Sequence, residues 1–231
     1  MEEGGEPQGY KLVLADGQTL QRSRDYTGQG CAYYENGESY SGDFVDGIRL
    51  GSGEYKYRNG DKYVGQFDEN KKHGFGKLRY TGTVADYADQ EGAPAGGSYH
   101  GDFYDGLKHG EGSFRYANGD VYSGRWQHGK KEGYGKYIFS DGSSLSGEWS
   151  NGLLINGKWL IGNGLIFEGG FSWNKPKGHG VMLLPSGAKV SGEFLQIVEE
   201  EVTEPLEKEP EGVKLLWLPD LGPLVDCSND N

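Results

Sequence analysis

The chain has 231 residues, of which 42 are glycine and 16 are tyrosine, and its formal net charge is −12. Its longest apolar runs are far shorter than the roughly 20 residues that cross a bilayer, and its acidic N-terminus is unlike a signal peptide, so we expect neither a transmembrane helix nor secretion. The two cysteines, Cys31 and Cys227, lie too far apart to suggest a disulfide framework or a cysteine-based zinc site, which favours a reducing compartment.

The acidic residues are concentrated near the C-terminus. Residues 199–231 contain ten acidic residues against two lysines, a net charge of −8, whereas residues 26–198 contain 20 acidic and 18 basic residues. Because nucleic-acid-binding proteins present a concentrated positive surface, this distribution argues against a nucleic-acid partner. Residues 1–25 precede the repeated pattern described next and are interpreted as a lead-in segment.

A five-residue motif, aromatic-x-Gly-x-aromatic, recurs through the middle of the chain. Its clearest copies begin at Tyr40, Tyr63, Tyr99 and Tyr122, and weaker copies begin at positions 145, 167 and 190. Successive copies are 23, 36, 23, 23, 22 and 23 residues apart, and the long step equals 23 plus an insertion of 13 residues near positions 81–97. The period predicts seven repeats within residues 26–198.

Two further features keep phase with this motif. A Gly-x-Gly pair follows the first aromatic of a repeat, as at Gly74 and Gly76, although the fifth repeat offers Gly157 alone. A turn dipeptide such as Asn59-Gly60 precedes the next first aromatic. Between these points aromatic or glycine residues alternate with polar ones, which is typical of strands with one aromatic face. Each repeat is predicted to be a β-hairpin, with a type I turn closed by a left-handed glycine bulge.

Single hairpins of this size are marginal in water, so we expect the repeats to pair edge to edge. The predicted fold class is all-β: an elongated single-layer antiparallel sheet of stacked β-hairpins, followed by an extended C-terminal tail. At roughly 4.8 Å per strand, seven repeats would extend about 65 to 70 Å. A sheet of this kind has no enclosed interior for a small substrate, and we therefore predict that the protein is not an enzyme.

Aromatic residues of the first four clear copies are predicted to share one face of the sheet. They are Tyr40, Phe44, Tyr63, Phe67, Tyr99, Phe103, Tyr122 and Trp126. We expect them mainly to pack on one another. Because a single-layer sheet cannot hide both faces from water, part of this aromatic surface is also predicted to bind a partner protein.

Seven lysines fall eight to ten residues after successive first aromatics, which predicts a lysine edge along the sheet. They are Lys71, Lys72, Lys108, Lys130, Lys131, Lys175 and Lys177. Such a row could bind anionic lipid headgroups or an acidic protein. The alternative is that these lysines only keep the loops polar and discourage edge pairing. Nearby acids such as Asp46 and Asp105 count against lipid more than against a protein.

The sequence contains no pattern that predicts catalysis or metal binding. His73 and His109 occupy the same repeat position, but they would lie about two strand spacings apart, without cysteines or clustered carboxylates beside them. The Gly-x-Gly pairs lack the strand-turn-helix context of a dinucleotide site. We therefore predict no catalytic residue, no metal and no cofactor.

The repeat pattern ends near residue 198. Residues 199–212 are predicted to form an extended, disordered acidic linker, since 199–211 contain seven glutamates. Residues 213–231 begin with an apolar segment whose predicted binding residues are Leu215, Leu216, Trp217, Leu218 and Leu221. This segment is predicted to dock on a neighbouring protein. The alternative is that it folds back and caps the last hairpin.

The stretch from Tyr63-Val64-Gly65-Gln66-Phe67 through Lys71-Lys72-His73-Gly74-Phe75-Gly76 resembles the MORN repeat (membrane occupation and recognition nexus), and the resemblance covers residues 26 to about 196. Three further features resemble the MORN-type component of the radial spoke head of cilia and flagella. They are the irregular fifth repeat followed by Asn174-Lys175-Pro176-Lys177-Gly178-His179-Gly180, the acidic stretch 199–211, and the segment Lys214-Leu215-Leu216-Trp217-Leu218-Pro219.

This resemblance implies a structural scaffold of the axoneme, located in the cilium or flagellum within the cytoplasm. Its partners would be other radial spoke head proteins, and it would support ciliary or flagellar motility. Exposed terminal hairpins also make a homodimer plausible. The alternative hypothesis is a membrane-tethering module that binds anionic phospholipid through the lysine edge.

Overall fold

A computed structural model describes residues 9–82, 96–198 and 212–220 of the chain. The described residues form strands and turns, and every strand pairing is antiparallel, which confirms the all-β fold class of consecutive hairpins. Within those ranges there is no helix long and apolar enough to cross a membrane. The chain divides into two compact units, residues 1–130 and 131–231, which are taken in turn.

The first unit is a sheet in which neighbouring strands follow one another along the chain. Its strands are β1 (Lys11–Leu14), β2 (Thr19–Leu20), β3 (Gly28–Tyr33), β4 (Ser39–Val45), β5 (Ile48–Lys56), β6 (Lys62–Asp68), β7 (Lys71–Tyr80), β8 (Gly97–Tyr104), β9 (Leu107–Arg115) and β10 (Val121–Gln127). From β3 to β10 each strand pairs with the next. The lead-in segment contributes β1, which pairs with both β2 and β3.

The second unit begins within β11 and has the same hairpin order. Its strands are β11 (Lys130–Ile138), β12 (Ser144–Ser150), β13 (Leu153–Leu160), β14 (Ile166–Ser172), β15 (Lys175–Leu183), β16 (Lys189–Ile197) and β17 (Lys214–Pro219). Each of these strands pairs antiparallel with the next, from β11 through β17.

The hairpin turns have the predicted geometry. In the β5–β6 turn the main-chain N–H of Tyr57 donates to the oxygen of Asp61 at 2.9 Å, and Gly60 N–H donates to the oxygen of Tyr57 at 3.0 Å. Gly60 adopts a left-handed φ of 89°. The Asn59 side chain accepts a hydrogen bond from Asp61 N–H at 3.1 Å and holds the turn closed. These contacts define a three-residue loop whose left-handed glycine closes a type I turn, as the sequence pattern predicts.

The two glycines of each Gly-x-Gly pair serve different purposes, which β7 illustrates. Gly74 has a left-handed φ of 56°, a conformation that other residues adopt at a cost, and it lies beside a register shift between β6 and β7. Gly76 instead lies beneath the ring of Tyr63, where an added Cβ would come within 2.5 Å of ring atoms. The absence of a side chain at Gly76 lets that ring settle onto the backbone, so that Tyr63 is 0% exposed.

Candidate functional site

The eight aromatic residues predicted to share a face do so, and they form the core of the first unit. All eight are at most 5% exposed. Tyrosine rings meet the second aromatic of their own repeat edge-to-face, and the rings of Tyr40, Tyr63 and Tyr99 also meet that of the following repeat, at centroid distances of 5.0–5.4 Å. Such pairs add about 0.5–1.5 kcal/mol each beyond their buried area. We name the surface that carries these rings the aromatic face.

Hydrogen bonds fix the tyrosines of this core. The hydroxyl of Tyr63 donates to the main-chain oxygen of Gln66 at 2.8 Å, and Tyr40, Tyr99 and Tyr122 make the same bond three residues along the chain. Burial raises the pKa of Tyr40 to about 12, and it also raises the pKa of Tyr63 and of Tyr99. These rings therefore serve packing, while their predicted contact with a partner protein stays a prediction.

A basic side chain covers the aromatic face in successive repeats. It stands nine residues after the first aromatic, a position that we name the cation slot, and in the first unit it is Arg49, Lys72 or Lys108. The Lys108 ammonium lies 4.5 Å from the ring centroid of Trp126. The Arg49 guanidinium lies 4.8 Å from the ring centroid of Tyr55. Both distances are within the range of favourable cation–π contact.

Lys72 and the second unit show the same slot. The Lys72 ammonium lies 5.4 Å from the ring centroid of Tyr57 and donates to its hydroxyl at 3.2 Å. In the second unit Lys131 occupies the slot, 4.7 Å from the ring centroid of Trp149. The next two slots hold the buried apolar residues Leu154 and Pro176. The slot therefore pairs an aromatic cluster either with a cation or with an apolar side chain.

The predicted lysine edge divides between the two faces of the sheet. Lys72, Lys108 and Lys131 lie over aromatic rings. Lys71 forms an ion pair with Asp105 instead, and Lys130 and Lys177 are exposed, whereas Lys175 is half-buried. Strand alternation explains the division, because residues eight and ten positions after the first aromatic point away from the residue at nine. The seven lysines are therefore not one continuous surface.

A cavity of about 420 Å³ opens on the aromatic face of the first unit. It lies between two successive cation slots, and Lys72 and Lys108 both line it. Apolar lining comes from Tyr57, Leu78, Tyr80 and Phe103, and Leu107, beside Lys108 at the start of β9, forms part of the rim. Leu107 is 47% exposed, whereas Phe103 is 3% exposed. A partner would therefore meet an apolar groove with an ammonium group at each side, which suits an apolar side chain flanked by carboxylates.

The edge of this cavity is tied to the start of the insertion. Asp61 lines the cavity, and its carboxylate accepts hydrogen bonds from Thr81 N–H at 2.7 Å and from Gly82 N–H at 3.3 Å. The predicted protruding loop lies mostly at residues 83–95, outside the described residues. His128 and Lys130 also line the cavity.

The C-terminal apolar segment caps its own sheet. Strand β17 pairs with β16, so that Trp217 lies opposite Phe194 with their ring centroids 4.9 Å apart. An added Cβ at Gly192 would come within 2.5 Å of the Trp217 ring, as at the glycines beneath the tyrosines. Leu215, Leu216 and Leu218 remain 37–44% exposed. Leu221 and residues 199–211 lie outside the described residues, and docking of this segment on another protein stays a prediction.

Several cavity residues were not singled out by the sequence analysis. Arg49, Tyr57, Tyr80 and Leu107 belong to the cation slots or to the cavity lining. The sequence does contain a feature that predicts the cation slots. Arg49 and Lys72 each lie an even number of residues before a glycine beneath a ring, which places them on the aromatic face. The repeat pattern does not mark Leu107 as part of a cavity, because the cavity joins residues of several strands.

The histidines do not form a metal site within the described ranges. The ring centroids of His109 and His128 lie 5.7 Å apart, and His73 stacks near Tyr104 instead. No group of three or more His, Cys, Asp or Glu side chains in the described part of the chain is arranged to hold a metal ion.

Comparison with known proteins identifies the repeat. The family model described as MORN repeat matches residues 40–62, 63–82, 99–121, 122–144 and 167–189. Each match begins at a first aromatic, and the irregular fifth copy and the seventh copy are not matched. No curated protein matches the chain in sequence.

The solved structures that the comparison finds include the TCP domain of SAS-4 (dCPAP) of Drosophila melanogaster, in complex with a proline-rich motif of Ana2 (dSTIL). The two chains are 17% identical with a TM-score of 0.42, and the match covers 78% of this chain and 85% of that chain.

Proposed function

Because five segments of the chain are MORN repeats, we propose that the protein is a non-enzymatic scaffold that binds other proteins through the cavity on its aromatic face. MORN repeats suggest a protein-interaction or membrane-binding module. The cavity is the observation that favours a protein partner, since its apolar lining between two ammonium groups suits a side chain of a polypeptide.

The expected contact has an apolar and an electrostatic part. An apolar side chain that settles against Tyr80 and Leu107 would gain about 1.5–3 kcal/mol from burial. Carboxylates beside it would meet the ammonium groups of Lys72 and Lys108, and exposed ion pairs of this kind contribute about 0.2–1 kcal/mol each. The site therefore suits a moderate affinity that several such contacts along an assembly would reinforce.

We further propose that the protein belongs to the radial spoke head of the ciliary or flagellar axoneme and supports motility. This proposal is supported by the resemblance of the irregular fifth repeat, the acidic stretch 199–211 and the segment Lys214–Pro219. The proposed partners are other radial spoke head proteins, and a homodimer remains part of the proposal.

Two polar substitutions with matched exposure test the cavity. Leu107 lines the rim of the cavity, whereas Val64 does not line it, and both side chains are 47% exposed. Leu107→Ser and Val64→Ser are expressed in ciliated cells that lack the endogenous protein. Crosslinking and mass spectrometry of isolated axonemes then measure recovery of spoke head proteins. We expect Leu107→Ser to lower this recovery and Val64→Ser to leave it unchanged. Equal recovery with both variants would refute binding at the cavity.

The alternative function is tethering to anionic phospholipid through the lysine edge. Its support is weaker, because the predicted edge is divided: in the first unit Lys71 and Lys130 lie on the opposite face of the sheet from Lys72 and Lys108. Sedimentation with phosphatidylserine vesicles at physiological salt separates the two hypotheses. Tight, salt-sensitive pelleting that is lost in Lys71→Glu and Lys177→Glu, without any loss of recovery in Leu107→Ser, would favour the lipid function.

A further inference from the structure

The face of the first unit opposite to the aromatic rings carries a row of basic side chains. Pairing places Lys56 opposite Lys62, Lys62 opposite Arg79, Arg79 opposite Ser98, and Ser98 opposite Arg115. Lys77 lies two residues before Arg79 on the same face of β7. We name these five cations, Lys56, Lys62, Lys77, Arg79 and Arg115, the basic row.

Acidic side chains neutralise only part of the positive charge of the basic row. Glu54 is 2.8 Å from Lys62 and 3.5 Å from Lys56, and the hydrogen bond from Lys62 lowers the pKa of Glu54. The side chains of Lys77, Arg79 and Arg115 are exposed and make no ion pair or hydrogen bond with any described residue. Like charges directly opposite on neighbouring strands destabilise a sheet. The pairs Lys56–Lys62 and Lys62–Arg79 therefore cost stability, as residues at functional sites often do.

Apart from Glu54, three acidic residues of the same face lie in a separate row nearer the Gly-x-Gly ends of the strands. They are Asp43, Asp102 and Glu111, and the pairings place Asp43 opposite Gln29 and Asp102 opposite Phe75 and His109. A broad anionic surface laid on this face would meet these acids as well as the cations. A narrow anionic chain laid along the basic row would avoid them.

The dimensions of the row suit such a chain. From β5 to β9 there are four strand spacings, or about 19 Å, and an extended segment of six residues is about 20 Å long. Phe75, an aromatic residue on the same face, already meets His100 edge-to-face with ring centroids 4.7 Å apart. A single-stranded nucleic acid would need free aromatic platforms for its bases, which the row itself does not offer.

We propose that the basic row is a second docking surface, which binds an extended acidic segment of a partner protein along Lys56, Lys62, Arg79 and Arg115. Each carboxylate would lie between cations of adjacent strands, and Lys77 would widen the row on one side. The surface is independent of the cavity, because the two lie on opposite faces of the same strands. The full chain would then hold two partners, or two segments of one partner, on its two faces.

Peptide binding by the full chain tests this proposal. The probe is a labelled peptide of 12 residues with alternating glutamate and serine, and binding is measured by fluorescence anisotropy in 50 mM and 200 mM NaCl. The test variant is Arg79→Glu with Arg115→Glu. The control variant, Lys71→Glu with Lys177→Glu, makes the same change of net charge at exposed or ion-paired lysines outside the row.

We expect the test variant to weaken binding by about tenfold or more, because two favourable ion pairs become two repulsions, and the control variant to weaken it less than about twofold. Binding of the wild type should fall at the higher salt concentration, since exposed charges are screened. If charge reversal changes the circular dichroism spectrum, Arg79→Gln with Arg115→Gln replaces the test variant. It should weaken peptide binding by a smaller factor, because it removes two ion pairs without adding repulsion.

Three results would overturn the proposal. The first is equal weakening in the test and control variants, which would assign the effect to net charge. The second is pelleting with phosphatidylserine vesicles that depends on Arg79 and Arg115, with no binding of the peptide, which would assign the row to a membrane. The third is tighter, arginine-dependent binding of a single-stranded oligonucleotide than of the peptide. Leu107→Ser should leave peptide binding unchanged. A negative result for the basic row is therefore distinguishable from a negative result for partner binding at the cavity.

Discussion

A methyl group at Gly76 would test how the sheet of the first unit buries its tyrosine rings. The added Cβ would lie 2.5 Å from both Cε2 and the hydroxyl oxygen of Tyr63, and 2.7 Å from Cζ. The ring cannot easily step aside, because its hydroxyl donates to Gln66 and its edges meet Phe67 and Phe103 at centroid distances of 5.1 and 5.0 Å. Gly76→Ala must therefore displace a side chain that is 0% exposed.

The expected cost follows from three contributions. Overpacking of a well-packed site costs about 1–3 kcal/mol. Loss of the Tyr63 hydroxyl hydrogen bond adds about 0.5–1.5 kcal/mol. The smaller conformational entropy of alanine in the unfolded chain offsets about 0.4–1 kcal/mol. We therefore expect Gly76→Ala to lower the free energy of unfolding by about 2–3 kcal/mol.

Urea denaturation followed by circular dichroism and tryptophan fluorescence measures this change. Gly162→Ala is the control, since its added Cβ would meet nothing within 4 Å and its φ is not left-handed, and it should change stability by less than about 0.5 kcal/mol. In a Tyr63→Leu background the steric cause is gone, so adding Gly76→Ala should cost less than about 1 kcal/mol. A cost that is the same with and without the Tyr63 ring would refute the reasoning.

Three further predictions concern the aromatic face. Tyr99→Phe removes a 2.9 Å hydrogen bond to a main-chain oxygen and should lower the free energy of unfolding by about 0.5–1.5 kcal/mol in the same urea assay, where an unchanged midpoint would contradict it. Burial raises the pKa of Tyr40 to about 12, above the value of about 10 in an unfolded chain, so its contribution to stability should be fully present below about pH 10 and be lost as the pH rises towards 12. Tyrosinate absorbance and circular dichroism should then change together, whereas ionisation of all tyrosines near pH 10 in a folded protein would contradict this expectation. Lys108→Met removes the ammonium 4.5 Å from the Trp126 ring while it keeps an aliphatic side chain, so it should cost about 0.5–1 kcal/mol and shift tryptophan fluorescence, and Lys130→Met, at an exposed position, should do neither.

The repeat unit was predictable because its determinants are local. The alternation around Tyr63 and the Asn59-Gly60 dipeptide sufficed to predict two strands, a shared aromatic face and a turn of three or five residues closed by a left-handed glycine. The two separate reasons for glycine at positions 74 and 76 could not be told apart from the pattern, because one depends on the register shift beside Gly74 and the other on the ring above Gly76.

The candidate surfaces were only partly predictable. The lysines were grouped by their distance from the first aromatic, although alternation already separates Lys71 from Lys72. The basic row could not be predicted from the repeat pattern, because Lys62, Arg79 and Arg115 are neighbours only through pairing of successive strands. The cavity is lined by residues of several strands, among them the slot lysines Lys72 and Lys108 of two repeats, and no single repeat contains it.

The amino-acid sequence by itself determined the period, the hairpin, the glycine positions and the all-β class, because each of these depends on residues within about one repeat. Only the tertiary structure decided which strand completes the last repeat: β17 pairs with β16 although residues 199–211 separate them along the chain. It also decided which cations lie over rings and which lie in the basic row. Such contacts join residues that are distant in sequence, and their geometry follows from strand register, which a local pattern does not encode.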